Sequence, residues 1–117
     1  MIAKFEDLNV WQESVKLSIK IYSLLKNCKD FSLRDQIQRS SISIASNIAE
    51  GFERTIKVFI HFLLISKGSC TELRTQLFIA KEIKLLTTEE SERLDESTKK
   101  ILAMLNNLIK TRKNNFH

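Results

Sequence analysis

Apolar residues recur at intervals of three and four through most of the chain, which is the spacing that places side chains on one face of an α-helix. Near the N-terminus two such stripes run side by side and predict a helix from about Leu8 to Asn27. A double stripe indicates burial on more than one side of this helix. The first stripe contains Trp11, Val15, Tyr22 and Leu25, and the second contains Val10, Leu17, Ile21, Leu24 and Cys28.

A second helix is predicted from Ser32, which has a typical N-cap side chain and is followed by Asp35 as a weak capping box. The helix is expected to end at Gly51, because glycine readily adopts the left-handed conformation past a helix end. Serine and alanine residues lie beside its apolar line, and such thin faces let neighbouring backbones approach closely. The apolar line contains Leu33, Ile37, Ile44 and Ile48.

A third helix is predicted from near Thr55 to about Lys84, a length of about 45 Å at 1.5 Å per residue. Its first half is apolar nearly all round. Ile56, Ile60 and Leu64 therefore fall outside the main seam, and we expect them to form a subunit contact, since a lone bundle would expose them to water. The seam itself contains Phe59, Phe62, Ser66, Ser69, Leu73, Gln76, Ala80 and Ile83.

The fourth helix is predicted to open with a capping box between Thr87 and Glu90. The tail from Lys110 is expected to fray. Because the connections are short, consecutive helices should be antiparallel, which predicts an all-α, up-down-up-down four-helix bundle. We expect one domain over residues 1–117 with an ordered core at about 5–110. The core line of the fourth helix contains Leu94, Ile101, Leu105 and Leu108.

The composition agrees with this fold and narrows the class of protein. The chain of 117 residues has no proline, two glycines and 43% apolar residues, which favours long helices over a β-sheet protein or a disordered chain. Cys28 and Cys70 belong to no disulfide or zinc motif and are interpreted as free thiols. No apolar run reaches the roughly 20 residues of a membrane span, and the N-terminus lacks the apolar core of a signal peptide. We therefore expect a cytoplasmic protein that does not bind membranes.

Catalytic motifs are missing from the sequence. His61 and Cys70 are nine residues apart in one helix and should point to opposite faces at about 100° per residue. The sequence has neither the Glu-x-x-His pairs of di-iron bundles nor a glycine-rich phosphate loop. These observations predict a protein that is not an enzyme and has no metal, cofactor or small-molecule substrate.

Several polar residues occupy or adjoin the apolar stripes: Asn47, Glu50, Ser69 and Glu72, with Gln76 nearby. We interpret them as a structural hydrogen-bond network that fixes the register of the helices, because buried polar groups need partners in any case. A binding pocket is the alternative interpretation.

Basic residues form two candidate surfaces in a chain with 19 basic and 14 acidic residues and a net charge of +5. Lys67, Arg74 and Lys81 recur every seven residues on the third helix with Phe78 among them, and cations beside an aromatic ring could hold phosphates and stack a base. This side could equally be an ordinary solvated face, or Phe78 could be buried in an oligomer. The second surface, at the basic end of the fourth helix, is what the helix dipole favours.

Three segments resemble the four-helix-bundle proteins of the large-subunit ribosomal RNA intervening-sequence family. They are FEDLNVWQESVKL, QIQRSSISIASNIAEGFER and FIHFLLISKGSCTELRTQLFIAKEI, and they extend from about Phe5 to Leu108. The blocks SNIAEG and GS-x-x-EL together are the specific part. The residues that stand where the family pattern has them are Asn47, Glu50, Gly51, Arg54, Gly68, Ser69 and Glu72. Arg39 matches the second member of an arginine pair whose first position here is Gln38, and Ala45 replaces a common proline.

The resemblance implies a four-helix bundle assembled into a ring-like homo-oligomer, typically a pentamer. It also implies a genomic association with ribosomal RNA intervening sequences, in which the genes of the family are located. A related bundle binds a reverse transcriptase and nucleic acid. We therefore predict a non-enzymatic oligomeric protein that binds RNA or a nucleoprotein. The alternative is a self-assembling structural or protein-interaction module without direct nucleic-acid contact. The predicted nucleic-acid-binding residues are Lys67, Arg74, Phe78, Lys81, Arg39 and Arg54.

Overall fold

Four α-helices account for most of residues 2–115, which are the residues that this computed structural model describes. They are preceded by a single 3-10 turn at Phe5–Asp7. The predicted all-α class and number of helices are confirmed. The helices are α1 (Asn9–Leu24), α2 (Phe31–Phe52), α3 (Ile56–Glu82) and α4 (Thr88–Asn114).

Contacts between helices show the antiparallel order. Ser40 of α2 donates to Glu72 of α3, and Ser66 of α3 donates to the carbonyl of Ile44 of α2. The two helices therefore run in opposite directions. Among neighbouring helices, α2 and α3 pack most extensively and α1 and α4 least. The core lies on the bundle axis and includes the fully buried Ile21, Ile37, Ile44, Ile48, Leu63, Leu73, Leu77, Ile101 and Leu105.

Side-chain caps define where three of the helices begin. The Thr87 hydroxyl accepts from the Glu90 amide at 3.0 Å and the Glu90 carboxylate accepts from the Thr87 amide at 2.9 Å, so the predicted capping box is confirmed. Thr55 caps α3. The predicted cap of α2 is wrong, because its N-cap is Asp30, whose carboxylate accepts from the Leu33 amide at 3.1 Å.

α2 ends at Phe52, one residue past the predicted end at Gly51, but the predicted conformation of the glycine is wrong. Gly51 is buried in the last turn of the helix and does not have a positive φ. A Cβ atom added to Gly51 would lie 2.5 Å from the Cβ of Phe62 and 3.2 Å from the ring of Phe59. The glycine therefore allows α2 to approach α3 closely, which is a packing requirement rather than a conformational one.

The turn between α3 and α4 departs from the predicted seam. Lys84 has a φ of 64°, and the amides of Leu85 and Leu86 return to the carbonyl of Ala80. α3 consequently ends before Ile83, which is 54% exposed, and Leu86 is buried. Placing Ile83 in the core seam was therefore wrong.

The end of the chain is more regular than predicted. α4 continues to Asn114, so residues 110–114 of the segment that was expected to fray are helical. The last two residues of that predicted tail, Phe116 and His117, lie outside the described residues. No helix within residues 2–115 combines the length and the hydrophobicity that crossing a membrane requires.

Candidate nucleic-acid interface

The positive charge of the protein is concentrated in one half of α3 and α4. Residues 54–71 and 97–115 contain eight basic residues and no acidic residue, whereas the rest of the chain has 11 basic and 14 acidic residues. We call these two segments the basic half. Its basic residues are Arg54, Lys57, Lys67, Lys99, Lys100, Lys110, Arg112 and Lys113.

Antiparallel packing brings the two segments of the basic half together. The Cys70 thiol donates to the carbonyl of Thr98 at 3.5 Å, and the Arg112 guanidinium lies 5.4 Å from the centre of the Phe59 ring. The charges therefore add along the paired halves of α3 and α4. Carboxylates of α1 and α2 reach the same end of the bundle, where Glu13 pairs with Lys100 and Glu50 pairs with Arg54.

Four lysines of the basic half form no ion pair within residues 2–115: Lys57, Lys67, Lys110 and Lys113. Lys57, Lys110 and Lys113 are exposed, and Lys67 is half-buried. Their ammonium groups are available to an anion. By contrast, Lys99 and Lys100 are paired with carboxylates of α4 and α1.

Helical geometry places Lys67, Lys110 and Lys113 along the junction of α3 and α4, whereas Lys57 is about 100° around α3 from Arg74. At about 100° per residue, Lys110 and Lys113 fall within about 40° of Lys99, which borders the groove between the two helices. Lys67 is two turns before Arg74, whose side chain reaches α4. With Cys70 opposite Thr98, the antiparallel register also places Lys57 close to the level of Lys113.

The predicted basic surface farther along α3 is different in character. Arg74, Phe78 and Lys81 line a groove of about 530 Å³ between α3 and α4, and Lys67 is not among its lining residues. Three acidic residues of α4 also line this groove, namely Glu92, Asp95 and Glu96. The groove is thus of mixed charge, and phosphates would meet carboxylates there.

The cations of this groove already have partners. Arg74 Nε lies 3.0 Å from Asp95 Oδ1, and Lys99 Nζ lies 3.3 Å from Asp95 Oδ2. Burial would raise the pKa of Asp95, but the hydrogen bonds and charges of Arg74 and Lys99 outweigh it and hold this pKa below its usual value. Lys81 Nζ lies 4.8 Å from the centre of the Phe78 ring, so that cation and that aromatic ring contact each other.

Arg39 and Arg54 lie apart from this groove and from each other. Arg39 lies on the α1 side of α2, in a shallow groove that Tyr22 and Ile42 also line. Arg54 Nη2 is 2.7 Å from Glu50 Oε1. The six residues predicted to bind nucleic acid therefore do not share one surface.

Three of the four predicted network residues connect α2 with α3. The hydroxyls of Ser43 and Ser69 are 2.8 Å apart, and Asn47 Nδ2 donates to the Ser43 carbonyl at 2.8 Å. Ser40 donates to Glu72 Oε1 at 2.9 Å. Glu50 does not join this network, because its exposed carboxylate bonds to Arg54 one turn away instead.

The predicted subunit contact is only partly exposed in the single chain. Ile60 packs against the core and Ile56 is half-buried, whereas Leu64 is 47% exposed. Two other apolar side chains named in the sequence analysis are exposed: Phe78, considered there for burial in an oligomer, and Tyr22, placed there in an apolar stripe. Sequence analysis missed the exposed Ile65 and Ile79 on α3, Ile19 on α1 and Ile42 on α2.

Metal-binding and nucleophilic groups do not form a further site. Within residues 2–115, no group of three or more His, Cys, Asp or Glu side chains could hold a metal ion. His61 is exposed while Cys70 is buried on the other side of α3. Burial raises the pKa of the Cys70 thiol to about 11, with a smaller opposing effect of Arg74, so this thiol stays protonated at neutral pH.

Comparison with known proteins shows the family to which this chain is related. The sequence profile of the 23S rRNA-intervening sequence protein family matches residues 6–107. A crystal structure from Bacteroides thetaiotaomicron VPI-5482, described as a protein with unknown function from the S23 ribosomal protein family, is similar to this chain. The two share 27% sequence identity with a TM-score of 0.81, over 86% of this chain and 98% of that one. No functionally curated protein matches the chain.

Proposed function

The chain belongs to the 23S rRNA-intervening sequence protein family, and we propose that it is a non-enzymatic, oligomeric accessory protein that binds RNA or a ribonucleoprotein in the cytoplasm. The observation that carries this proposal is the basic half of α3 and α4, with eight basic and no acidic residues. A surface of this kind attracts phosphates and releases their counterions. The family name refers to 23S rRNA, which supports RNA as the ligand.

The proposed contacts come from the lysines without ion pairs. Lys57, Lys67, Lys110 and Lys113 lose no intramolecular partner when they bind phosphate, whereas Arg74 would have to leave Asp95. We therefore expect Arg74 and Lys81, which sequence analysis favoured, to contribute less than the lysines of the basic half.

Filter binding to a structured RNA across a salt series tests this proposal. Neutralising two contacts in the double variant Lys110→Gln and Lys113→Gln should lower the slope of log affinity against log salt by up to about 1.8, since each phosphate contact contributes roughly 0.9. The matched control is Lys26→Gln with Lys29→Gln. It removes the same charge from exposed positions at the other end of the bundle, so its slope should equal that of the wild type.

Two results would contradict the proposal. The first is a lack of binding at low ionic strength. The second is an equal loss of affinity in the two double variants, which would mean that only the net charge matters and that the basic half is not the site.

A second candidate function is self-assembly through α3. Gly68 lies in the middle of α3, yet a Cβ atom added there would meet nothing within 4 Å. Glycine in a helix costs roughly 0.5–1 kcal/mol relative to alanine, and the single chain offers no packing reason for it. The exposed Leu64 and Ile65 lie one turn away. This supports a second copy that packs closely against this face, as part of a pentamer by family resemblance.

Sedimentation of Gly68→Ala tests self-assembly. If another copy packs against Gly68, the variant should dissociate at protein concentrations at which the wild type is assembled. Sedimentation of the wild type as a monomer would rule out this second function.

A further inference from the structure

On the surface of this protein the unpaired lysines and the exposed aromatic rings lie in different places. This arrangement bears on whether the protein binds single-stranded or double-stranded RNA. Proteins that bind single strands combine a basic groove with aromatic side chains on which successive bases stack. Double-stranded RNA is recognised mostly by shape and by contacts to phosphates and 2′-hydroxyls, which need no aromatic platform. The number of exposed aromatic rings near the basic half therefore indicates whether a single strand or a duplex is the better ligand.

The phenylalanine rings of the basic half are already covered. Phe59 is 3% exposed, and the Arg112 guanidinium lies over its ring. Phe62 is half-buried, and the Arg54 guanidinium lies 5.7 Å from its ring centre. Within residues 54–71 and 97–115, the His61 imidazole is the one exposed ring. A single ring can stack a single base, which falls short of the successive stacking that holds a strand.

The exposed aromatic side chains lie elsewhere. Phe78 is 57% exposed but belongs to the mixed-charge groove, and Phe31 is 60% exposed at the first turn of α2. The Phe31 ring is in contact with a cation, since the Arg34 guanidinium lies 4.7 Å from its ring centre. Tyr22 is 44% exposed and lines the shallow groove beside Arg39. None of these three rings is next to the lysines that are free to bind phosphate.

We infer that the basic half binds base-paired RNA through its phosphate backbone and discriminates against single strands. This inference rests on the proposed function and specifies its ligand. Charge density favours the duplex as well, because each phosphate contact contributes a salt slope of roughly 0.9 on a duplex and 0.7 on a single strand. With four lysine contacts the difference corresponds to roughly sixfold in affinity for each tenfold decrease in salt.

The test compares the affinity of the protein for an RNA hairpin with a long stem and for an oligouridine strand of equal length, both at about 0.1 M salt. The hairpin should bind at least about fivefold more tightly. If oligouridine binds as tightly as the hairpin, the inference is wrong while the proposed function stands. If neither RNA binds, the proposed function itself fails.

A gain-of-function variant provides an independent test. Ala103 is exposed on α4 and lies on the same flank as Lys99 and Lys110, within about 40° of each by helical spacing. Ala103→Trp adds the missing platform, so oligouridine affinity should rise roughly fivefold or more while hairpin affinity stays unchanged. An unchanged oligouridine affinity would indicate that stacking is not what limits single-strand binding and would overturn the inference.

Two further variants examine the exposed imidazole of the basic half and a phenylalanine that comes three residues after Lys113 in the sequence. His61→Ala removes the exposed imidazole, and Phe116→Ala removes an aromatic residue that lies outside the described residues. Both variants should bind each RNA as the wild type does. A fivefold or larger loss of oligouridine affinity in either, at about the level expected for one stacked base, would reveal a functional platform and contradict the inference.

Discussion

Replacing Gly51 by alanine should destabilise the protein, although the same change usually stabilises a helix. Alanine in place of glycine within a helix contributes about 1 kcal/mol through backbone entropy. At Gly51, however, the new methyl group would lie 2.5 Å from the Cβ of Phe62. A Cβ position is fixed by the backbone, so a rotamer change of Phe62 cannot relieve this contact and the helices must separate. Overpacking of this kind costs about 1–3 kcal/mol, so after the gain of about 1 kcal/mol we expect a net loss of up to about 2 kcal/mol.

Gly68→Ala is the matched control, because it is the same substitution in a helix with open space around the new methyl group. It should raise the free energy of unfolding by about 0.5–1 kcal/mol. Urea unfolding followed by circular dichroism measures the wild type and both variants at a protein concentration low enough for all three to be monomeric, since association through α3 would shift the apparent stability. The reasoning would be refuted if Gly51→Ala gained as much stability as Gly68→Ala, because α2 and α3 would then not be in close contact there.

Three further predictions concern the caps and the titrating groups. Thr87→Ala removes the capping box of α4 and should cost about 1 kcal/mol in urea unfolding; an unchanged midpoint would contradict this. Asp95→Asn should be less stable than the wild type at neutral pH, and the difference should disappear as the pH falls below about 4. The sign follows from the lowered pKa of Asp95, whose stabilising charge is lost on protonation, so a difference that persists in acid would exclude the pairing with Arg74 as its cause. In native protein a thiol reagent should modify the half-buried Cys28 well before Cys70, whose pKa is about 11, and equal rates would argue against the burial of Cys70.

Local signals in the sequence were sufficient for most of the secondary structure. The Thr87–Glu90 capping box depends on residues three positions apart, and it appears as predicted. The start of α2 was misplaced by two residues because Asp30 and Ser32 are both suitable caps, and the choice depends on the direction of the preceding chain. Ile83 was misplaced because Lys84 adopts a left-handed conformation that ends α3 early. A lysine in the sequence does not predict this conformation.

The role of Gly51 could not be predicted, because it depends on a residue of another helix. The glycine indicated the end of α2 to within one residue, but only the position of Phe62 reveals the close approach of the two helices. The small serines of α2 did indicate thin packing, and the bond between Ser43 and Ser69 is consistent with that interpretation.

The candidate site was predicted less well than the fold, for the same reason. The seven-residue spacing of Lys67, Arg74 and Lys81 is correct for one face of α3, but the register of α4 decides what lies opposite. Because Asp95 falls opposite Arg74, that part of the face is neutralised. The acid-free segments 54–71 and 97–115 could have been recognised by counting charges once the helices were known to be antiparallel.

Lysine footprinting by acetylation and mass spectrometry, with and without a bound RNA hairpin, tests the role of the basic half most directly. Lys57, Lys67, Lys110 and Lys113 should be protected by the RNA, because these side chains are proposed to contact phosphates. Lys26 and Lys29, which are exposed at the other end of the bundle, should react as they do in the free protein. Protection of Lys26 and Lys29 with full reactivity of the four lysines would contradict the proposed interface.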